Sequence, residues 1–413
     1  MLVILVSKNI KPTLNYNPVL DEILGEGAFS YLAKAKHIAR TKGIRVISFG
    51  IGQPDFLTPQ HIRDEAKKAL DEGFTGYTET AGIIEVREAI ADYLNERYGA
   101  GVKPSEIVVT TGAKTAIFIA IASYIREGDE VIIPEPSYPA YAQVVKLFRG
   151  KPIYIPLKWE GGDKGFSLDM DKIEKAITSK TKMIVLNNPH NPTGAVFTGK
   201  QIDELMELAR QRNLIILTDE IYDNFVYDVE FKGILSHDDW RDYVIYVNGF
   251  SKTFSMAGWR LGYVVAREEV VGKMIDLAVN IYSCAPSFAQ RAAIIALKGT
   301  WEPVKEMIHI FKTRRDLLYQ LLKEVPGFDP WKSPGTFYMF PNIKKVLEVT
   351  EVKNEKEFAD ILLERYGVVV LPGILFPENA GRGFLRFSFA TSFEDIREGV
   401  NRIKRAIEEM SKR

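Results

Sequence analysis

The sequence predicts an α/β protein: a large unit built on a mostly parallel sheet covered by helices, joined to a smaller α+β unit. Three observations carry that expectation. Between about residues 105 and 250, short continuous Val/Ile/Leu runs recur with helical stretches between several of them, the pattern of strands buried on both faces. After residue 300 the pattern changes to long charged amphipathic stretches alternating with short strand-like pieces. The chain is also too long, at 413 residues, for one ordinary domain. The expected division is a large unit over 51–299 and a smaller one formed by 1–50 together with 300–413.

In chain order, the opening "MLVILV" is apolar but lacks a basic leader and is far shorter than a membrane span, so it reads as a packed arm or a first strand. A charged helix is expected over 29–43. The buried runs follow: "IVVT" (107–110), "VIIP" (131–134), "PIYIPL" (152–157), "MIVL" (183–186), "LIILT" (214–218) and "VIYV" (244–247). "TAIFIAIASYIREGDE" and "KQIDELMELARQRN" read as two covering helices, with Gly128 and Asn213 near their stops. The smaller unit is expected to hold helices at 303–324, 354–366 and 393–411, and strands in "GTFYMF", "VVVLP" and "FLRFSFA".

Composition narrows the function. Lysine plus arginine balances aspartate plus glutamate at 54 each, so no basic field recommends nucleic acid and no acidic tail is present. Cys284 is the single cysteine, and the five histidines (37, 61, 190, 237, 309) show no paired spacing; no disulfide framework or metal site is expected. With no membrane span and no export signal, the expected compartment is the cytoplasm.

In an open parallel sheet, ligands bind beyond the carboxyl ends of the strands. There the residues are unusually chemical: "TGAK" after the first run, "EPSY" after the second, "NNPHNPTG" after the fourth, "DEIY" after the fifth and "NGFSK" after the sixth. Five polar clusters are thus expected at one sheet edge. In "VVTTGAKTAIF" a glycine turn leads into a helix whose free N–H groups suit a phosphate. "GAKT" lacks the Gly-Lys-Ser/Thr of a nucleotide loop, and in "GIGQPDF" Pro54 stands where a dinucleotide site needs its helix. Lys252 and Arg260 lie eight positions apart in "SKTFSMAGWR" among apolar and small residues, which suggests a bound anion.

Several positions have two readings. Asp219 is either a helix N-cap or a carboxylate for a buried ring nitrogen, and Tyr222 either packs or reaches the same ligand. Asn191 belongs to a proline turn or offers its amide to a ligand oxygen. In "GFLRFSFA" Leu385, Phe387 and Phe389 alternate with Phe384, Arg386 and Ser388, which directs Arg386 away from the apolar layer, toward a surface ion pair or a carboxylate.

Taken in order, "GIGQPDF", "GYTETAGIIEVREAIADYL", "TGAKTAIF", "NNPHNPTGAVF", "TDEIYDNFVYD", "NGFSKTFSMAGWRLGY" and "RFSFATS" resemble the class I/II aminotransferases, the fold-type-I pyridoxal 5′-phosphate enzymes. Within them the chain is similar to the prokaryotic aspartate and aromatic aminotransferases, from roughly Gly50 to Ser392. The resemblance implies the pyridoxal-phosphate-dependent transferase fold, with Lys252 as the Schiff-base lysine. It implies that Ser251, Arg260 and the backbone at Gly112, Ala113 and Lys114 hold the cofactor phosphate. Asp219 would pair with the pyridine nitrogen, Tyr222 and Asn191 with the phenolic oxygen, and Tyr138 would stack on the ring. Tyr77 would cross to the neighbouring subunit's phosphate, making the active unit a homodimer. Gly52 and Arg386 would clamp the substrate α-carboxylate.

Amino acids and 2-oxo acids are the implied substrates, with aspartate or an aromatic amino acid as donor and 2-oxoglutarate as acceptor. Lys114 reads either as a contact for a side-chain carboxylate or as a solvated helix-start residue, and "GTFYMF" as apolar walls suited to aromatic substrates. A carbon–sulfur β-lyase on the same scaffold is the alternative. A regulatory ligand-binding module is disfavoured, because the segment before Gly50 carries no helix-turn-helix pattern or basic stripe.

Overall fold

Aliphatic runs with no polar position to turn toward water form the centre of the molecule. The computed structural model describes residues 17–377 and 379–412. Its main sheet comprises β1 (Ile107–Thr110), β2 (Glu130–Glu135), β3 (Lys151–Pro156), β4 (Thr181–Asn187), β5 (Ile215–Asp219), β6 (Val244–Gly249) and β7 (Gly262–Val265). Their spatial order is β1-β7-β6-β5-β4-β2-β3. The pairs β6–β5, β5–β4, β4–β2 and β2–β3 are parallel, whereas β7 runs antiparallel to both its neighbours. All residues of β1, β6 and β7 are buried.

The sequence reading missed β7, because "GYVV" was absorbed into the "AGWRLGY" motif and is only four residues long. It is nonetheless the strand that joins the two ends of the site. Gly262 pairs with Thr110 on one side and Gly249 on the other. Its α-carbon lies so near the chain that a Cβ would sit 2.4 Å from the Ala113 amide nitrogen, so no side chain fits there.

Helices α1 (Gly27–Lys42), α2 (Ala113–Ala122) and, after an unforeseen α3 (Ala140–Leu147), α4 (Gly199–Arg212) follow the expected pattern with shifted ends. α4 starts on a reciprocal cap: Thr198 Oγ1 accepts from the Gln201 amide at 3.3 Å while Gln201 Oε1 accepts from the Thr198 amide at 3.2 Å. It stops at Asn213, which takes the left-handed conformation with φ 50°. α2 stops at Ala122, well short of Gly128, with the Ser123 hydroxyl donating back to the Ile119 carbonyl at 2.8 Å. Gly128, at φ 85°, instead turns the chain into β2.

The smaller part contains α5 (Glu302–Lys323), α6 (Glu355–Tyr366) and α7 (Phe393–Met410). They accompany an antiparallel three-stranded sheet of β8 (Tyr338–Met339), β9 (Leu371–Pro372) and β10 (Leu385–Ser388), in the order β8-β10-β9. The expected "VVVLP" strand divides: Val368–Val369 pairs in parallel with Ile47–Ser48, while Leu371–Pro372 joins β10. All four residues of β10 are buried, on both faces, so Arg386 is not on the surface. The "MLVILV" segment lies outside the described residues. Among the described residues no helix is long and apolar enough to cross a membrane.

Candidate active site

The five polar clusters meet in one cavity of about 530 Å³ at the carboxyl edge of the parallel strands, roofed by residues of α1 and the smaller part. Ala113 and Lys114 come from the first cluster and Tyr138 from the second; Asn187 and Asn191 come from the third. Asp219 and Tyr222 follow β5, and Ser251 and Lys252 follow β6. Gly52, Tyr338 and Arg386 close the remaining side. Its size is typical of a small-ligand site.

Lys252 is half-buried and donates from Nζ to the Gly52 carbonyl at 2.6 Å. Its pKa is pushed down to about 8, chiefly by burial and next by the Arg386 guanidinium, against the pull of Asp219. A lysine so placed holds more free amine near neutral pH than an ordinary solvated lysine does.

Asp219 is 3% exposed. Oδ2 accepts from the Tyr141 hydroxyl at 2.7 Å and Oδ1 from the Ile221 amide at 3.1 Å. No helix follows Asp219, so the helix N-cap reading fails: Oδ1 accepts within its own turn, while Oδ2 is held by Tyr141. Burial pushes its pKa up to about 6, while the Tyr141 and Ile221 donors and Lys252 oppose the rise. Tyr222 is buried with its hydroxyl 2.9 Å from that of Tyr338. Asn191 accepts at Oδ1 from Arg386 Nη1 at 3.1 Å, and its backbone N–H donates to Asn187 Oδ1 at 2.8 Å.

At the helix start, Gly112 has φ 93°, and a Cβ there would fall 2.5 Å from Arg260 Nη2. Arg260 donates to the carbonyls of Ala257 and Thr111 at 2.9 and 3.2 Å. It is exposed rather than buried, and lines the cavity. Of the two cations whose proximity suggested a bound anion, the lysine is half-buried and the arginine accessible.

Arg386 is 4% exposed and donates to Asn191 Oδ1 and to the Gly50 carbonyl, each at 3.1 Å. Its Nε has no partner among the described residues, and its guanidinium carbon lies 4.2 Å from the Tyr338 ring centroid. No carboxylate pairs with it among the described residues, so the surface ion-pair reading fails. A buried, partly unsatisfied guanidinium facing a cavity suits an incoming carboxylate. The loop that carries Gly50 and Gly52 is tied down by Asp55, which accepts from Arg314 Nη1 and Nη2 at 2.7 and 2.9 Å.

Two further expected residues are the tyrosines 138 and 77. Tyr138 lines the cavity with its hydroxyl donating to Glu26 at 2.8 Å. Tyr77 is 92% exposed and does not line this chain's cavity. The sequence reading missed Tyr141, Tyr338 and Glu26 as site residues. Tyr141 follows Tyr138 by one helical step in "SYPAY", and Tyr338 sits in the noted "GTFYMF"; Glu26 carries no local signal.

These residues fit pyridoxal phosphate. A half-buried lysine of lowered pKa, a buried carboxylate and a glycine-opened helix start flanked by arginine match an aldehyde, a ring nitrogen and a phosphate. The comparisons agree. The family model described as "Aminotransferase class I and II" matches residues 44–403. A protein named aspartate aminotransferase from Sulfurisphaera tokodaii is 50% identical over 397 residues, covering 96% of this chain and 98% of that protein. Aromatic-amino-acid aminotransferase 2 of Thermococcus litoralis is 40% identical over 368 residues, with 88% and 92% covered. A crystal structure of the aspartate aminotransferase from Rhizobium meliloti superposes with a TM-score of 0.90 at 33% identity, covering 97% of this chain and 100% of that one. The fold and the site thus define an enzyme of the aminotransferase class. The chain belongs to the class I and II aminotransferases, and pyridoxal 5′-phosphate is its cofactor.

Proposed function

We propose that the chain transfers the amino group of an aspartate-type or aromatic L-amino acid to a 2-oxo acid such as 2-oxoglutarate, using the residues gathered around Lys252. The carrying observation is the lysine of lowered pKa bonded to Gly52 and set between Asp219 and Arg386. The names of the relatives, aspartate and aromatic-amino-acid aminotransferases, support both donor classes. The carbon–sulfur lyase alternative draws no support from them.

When bound, pyridoxal phosphate supplies the aldehyde that takes up the amino group and a protonated ring that stores the electrons released at the substrate Cα. The chain does the rest. Arg386 and the Gly52 backbone bind the substrate α-carboxylate and fix the Cα–H direction. Lys252 anchors the cofactor and, once released, moves the proton at Cα as a free amine. Asp219 holds the proton on the ring nitrogen, Tyr222 and Asn191 bond the phenolic oxygen, and Tyr138 stacks on the ring. Ser251, Arg260, Gly112, Ala113 and Lys114 bind the phosphate. Tyr77, projecting from its own chain, serves the partner's phosphate in a homodimer. The units 51–299 and 1–50 with 300–413 act as the cofactor-binding and closing domains, in a cytoplasmic enzyme.

Borohydride treatment of the holoenzyme followed by peptide mapping is expected to place the pyridoxyl mass on Lys252. Lys252→Ala is expected to abolish the label and lower turnover by more than roughly 10²-fold while still binding the cofactor. A label on another amine would refute the assignment. Release of pyruvate and ammonia from cystathionine without an acceptor would favour the lyase.

A further inference from the structure

Lys114 opens α2 at the edge of the cavity, and its ammonium is already engaged. Nζ pairs with Oε1 of Glu26, and the Tyr138 hydroxyl donates to the same oxygen at 2.8 Å. The Lys114 Nζ also lies 5.7 Å from the Tyr138 ring centroid. Glu26 occupies the N-cap position of α1, yet its side chain makes no capping bond. It reaches away from its own helix, where carboxylates ordinarily satisfy the first amides, to a residue 88 positions further along the chain. Glu26, Lys114 and Tyr138 line the same cavity as Lys252 and Arg386.

We propose that Glu26 is a specificity-determining residue: a built-in carboxylate that occupies Lys114 and disfavours substrates carrying a second carboxylate relative to those with an aromatic side chain. The inference rests on the aminotransferase reading above. A dicarboxylic substrate must separate Glu26 from Lys114 or place its own charge beside that of Glu26, and both cost affinity. An aromatic side chain leaves the pair intact against Tyr138. Because the Lys114 and Glu26 side chains are 49% and 22% exposed, solvent screening keeps the effect to about two- to fivefold.

The test is calorimetric titration of the cofactor-loaded enzyme with succinate and with 3-phenylpropionate, neither of which has an amino group to transfer. Glu26→Gln is expected to move the ratio of the two dissociation constants about two- to fivefold toward succinate, and Glu26→Ala to move it in the same direction. In a Lys114→Met background, the same change at Glu26 is expected to have no such effect. A ratio unmoved by either substitution, or moved equally without Lys114, overturns the proposal. Adding aspartate and phenylalanine in turn to the native holoenzyme separates the two readings. If neither changes the cofactor spectrum, the aminotransferase reading fails; if the spectrum changes and the ratio does not move, only the role of Glu26 fails.

Discussion

Asp219 is held in an environment that favours its neutral form, and Tyr141 is what opposes this. Burial lifts the carboxyl to about 6, while the 2.7 Å bond from the Tyr141 hydroxyl stabilises the charge. In the proposed role the ionised form pairs with a protonated ring, so cofactor affinity is expected to fall as pH drops through about 6. Tyr141→Phe removes a donor to the charged state, which raises the pKa further. The acid limb of cofactor affinity, followed by fluorescence of the apo-protein, is expected to move upward by about one pH unit. An unmoved limb would show that Tyr141 only packs. His190 is a contrasting case: burial pushes it down to about 3, and it stays neutral beside Thr193 Oγ1 at 2.8 Å throughout the working range.

At the scale of elements, the start of α2 matters most. Gly112 combines φ 93° with a guanidinium where a Cβ would stand. Gly112→Ala is therefore expected to cost about 1–3 kcal/mol in urea unfolding and to weaken cofactor binding by roughly tenfold or more, measured by titration of the apo-protein. A variant with native affinity would show that the helix start does not receive the phosphate. This turn was legible as a strand–glycine–helix sequence, as were the five strand-end clusters, because parallel buried strands announce themselves by uninterrupted aliphatic runs. β7 was not legible, since four residues inside a motif give no periodicity to read. Nor was the burial of Arg386: alternation in β10 identifies two faces, but not that both are covered. Contacts made across long sequence separations, such as Glu26 with Lys114 or Tyr141 with Asp219, leave no trace in local pattern.

For the whole molecule, the revealing residue is Tyr77, 92% exposed though aromatic. Its proposed task on a partner's phosphate leads to a complementation test. In a purified hybrid of one Lys252→Ala chain and one Tyr77→Ala chain, one site carries both lesions and the other carries neither. Such a hybrid is expected to show about half the activity of the native dimer. If Tyr77 serves its own chain, each site keeps one lesion and no intact site exists, so activity at that level would exclude the intrachain role. The bidentate Arg314–Asp55 pair belongs to this scale too, since it links α5 to the loop that presents Gly50 and Gly52 to Arg386 and Lys252.

The reversed strand β7 has a wider effect. Through Gly262, which pairs with Thr110 and Gly249 at once, the segments bearing the helix start and the lysine become adjacent rungs of one ladder. In the proposed site, the span between the phosphate end and the reactive amine is then set by main-chain geometry. Side chains around the mouth are free to drift toward new amino acids without disturbing that interval, and one scaffold can serve many metabolic diets.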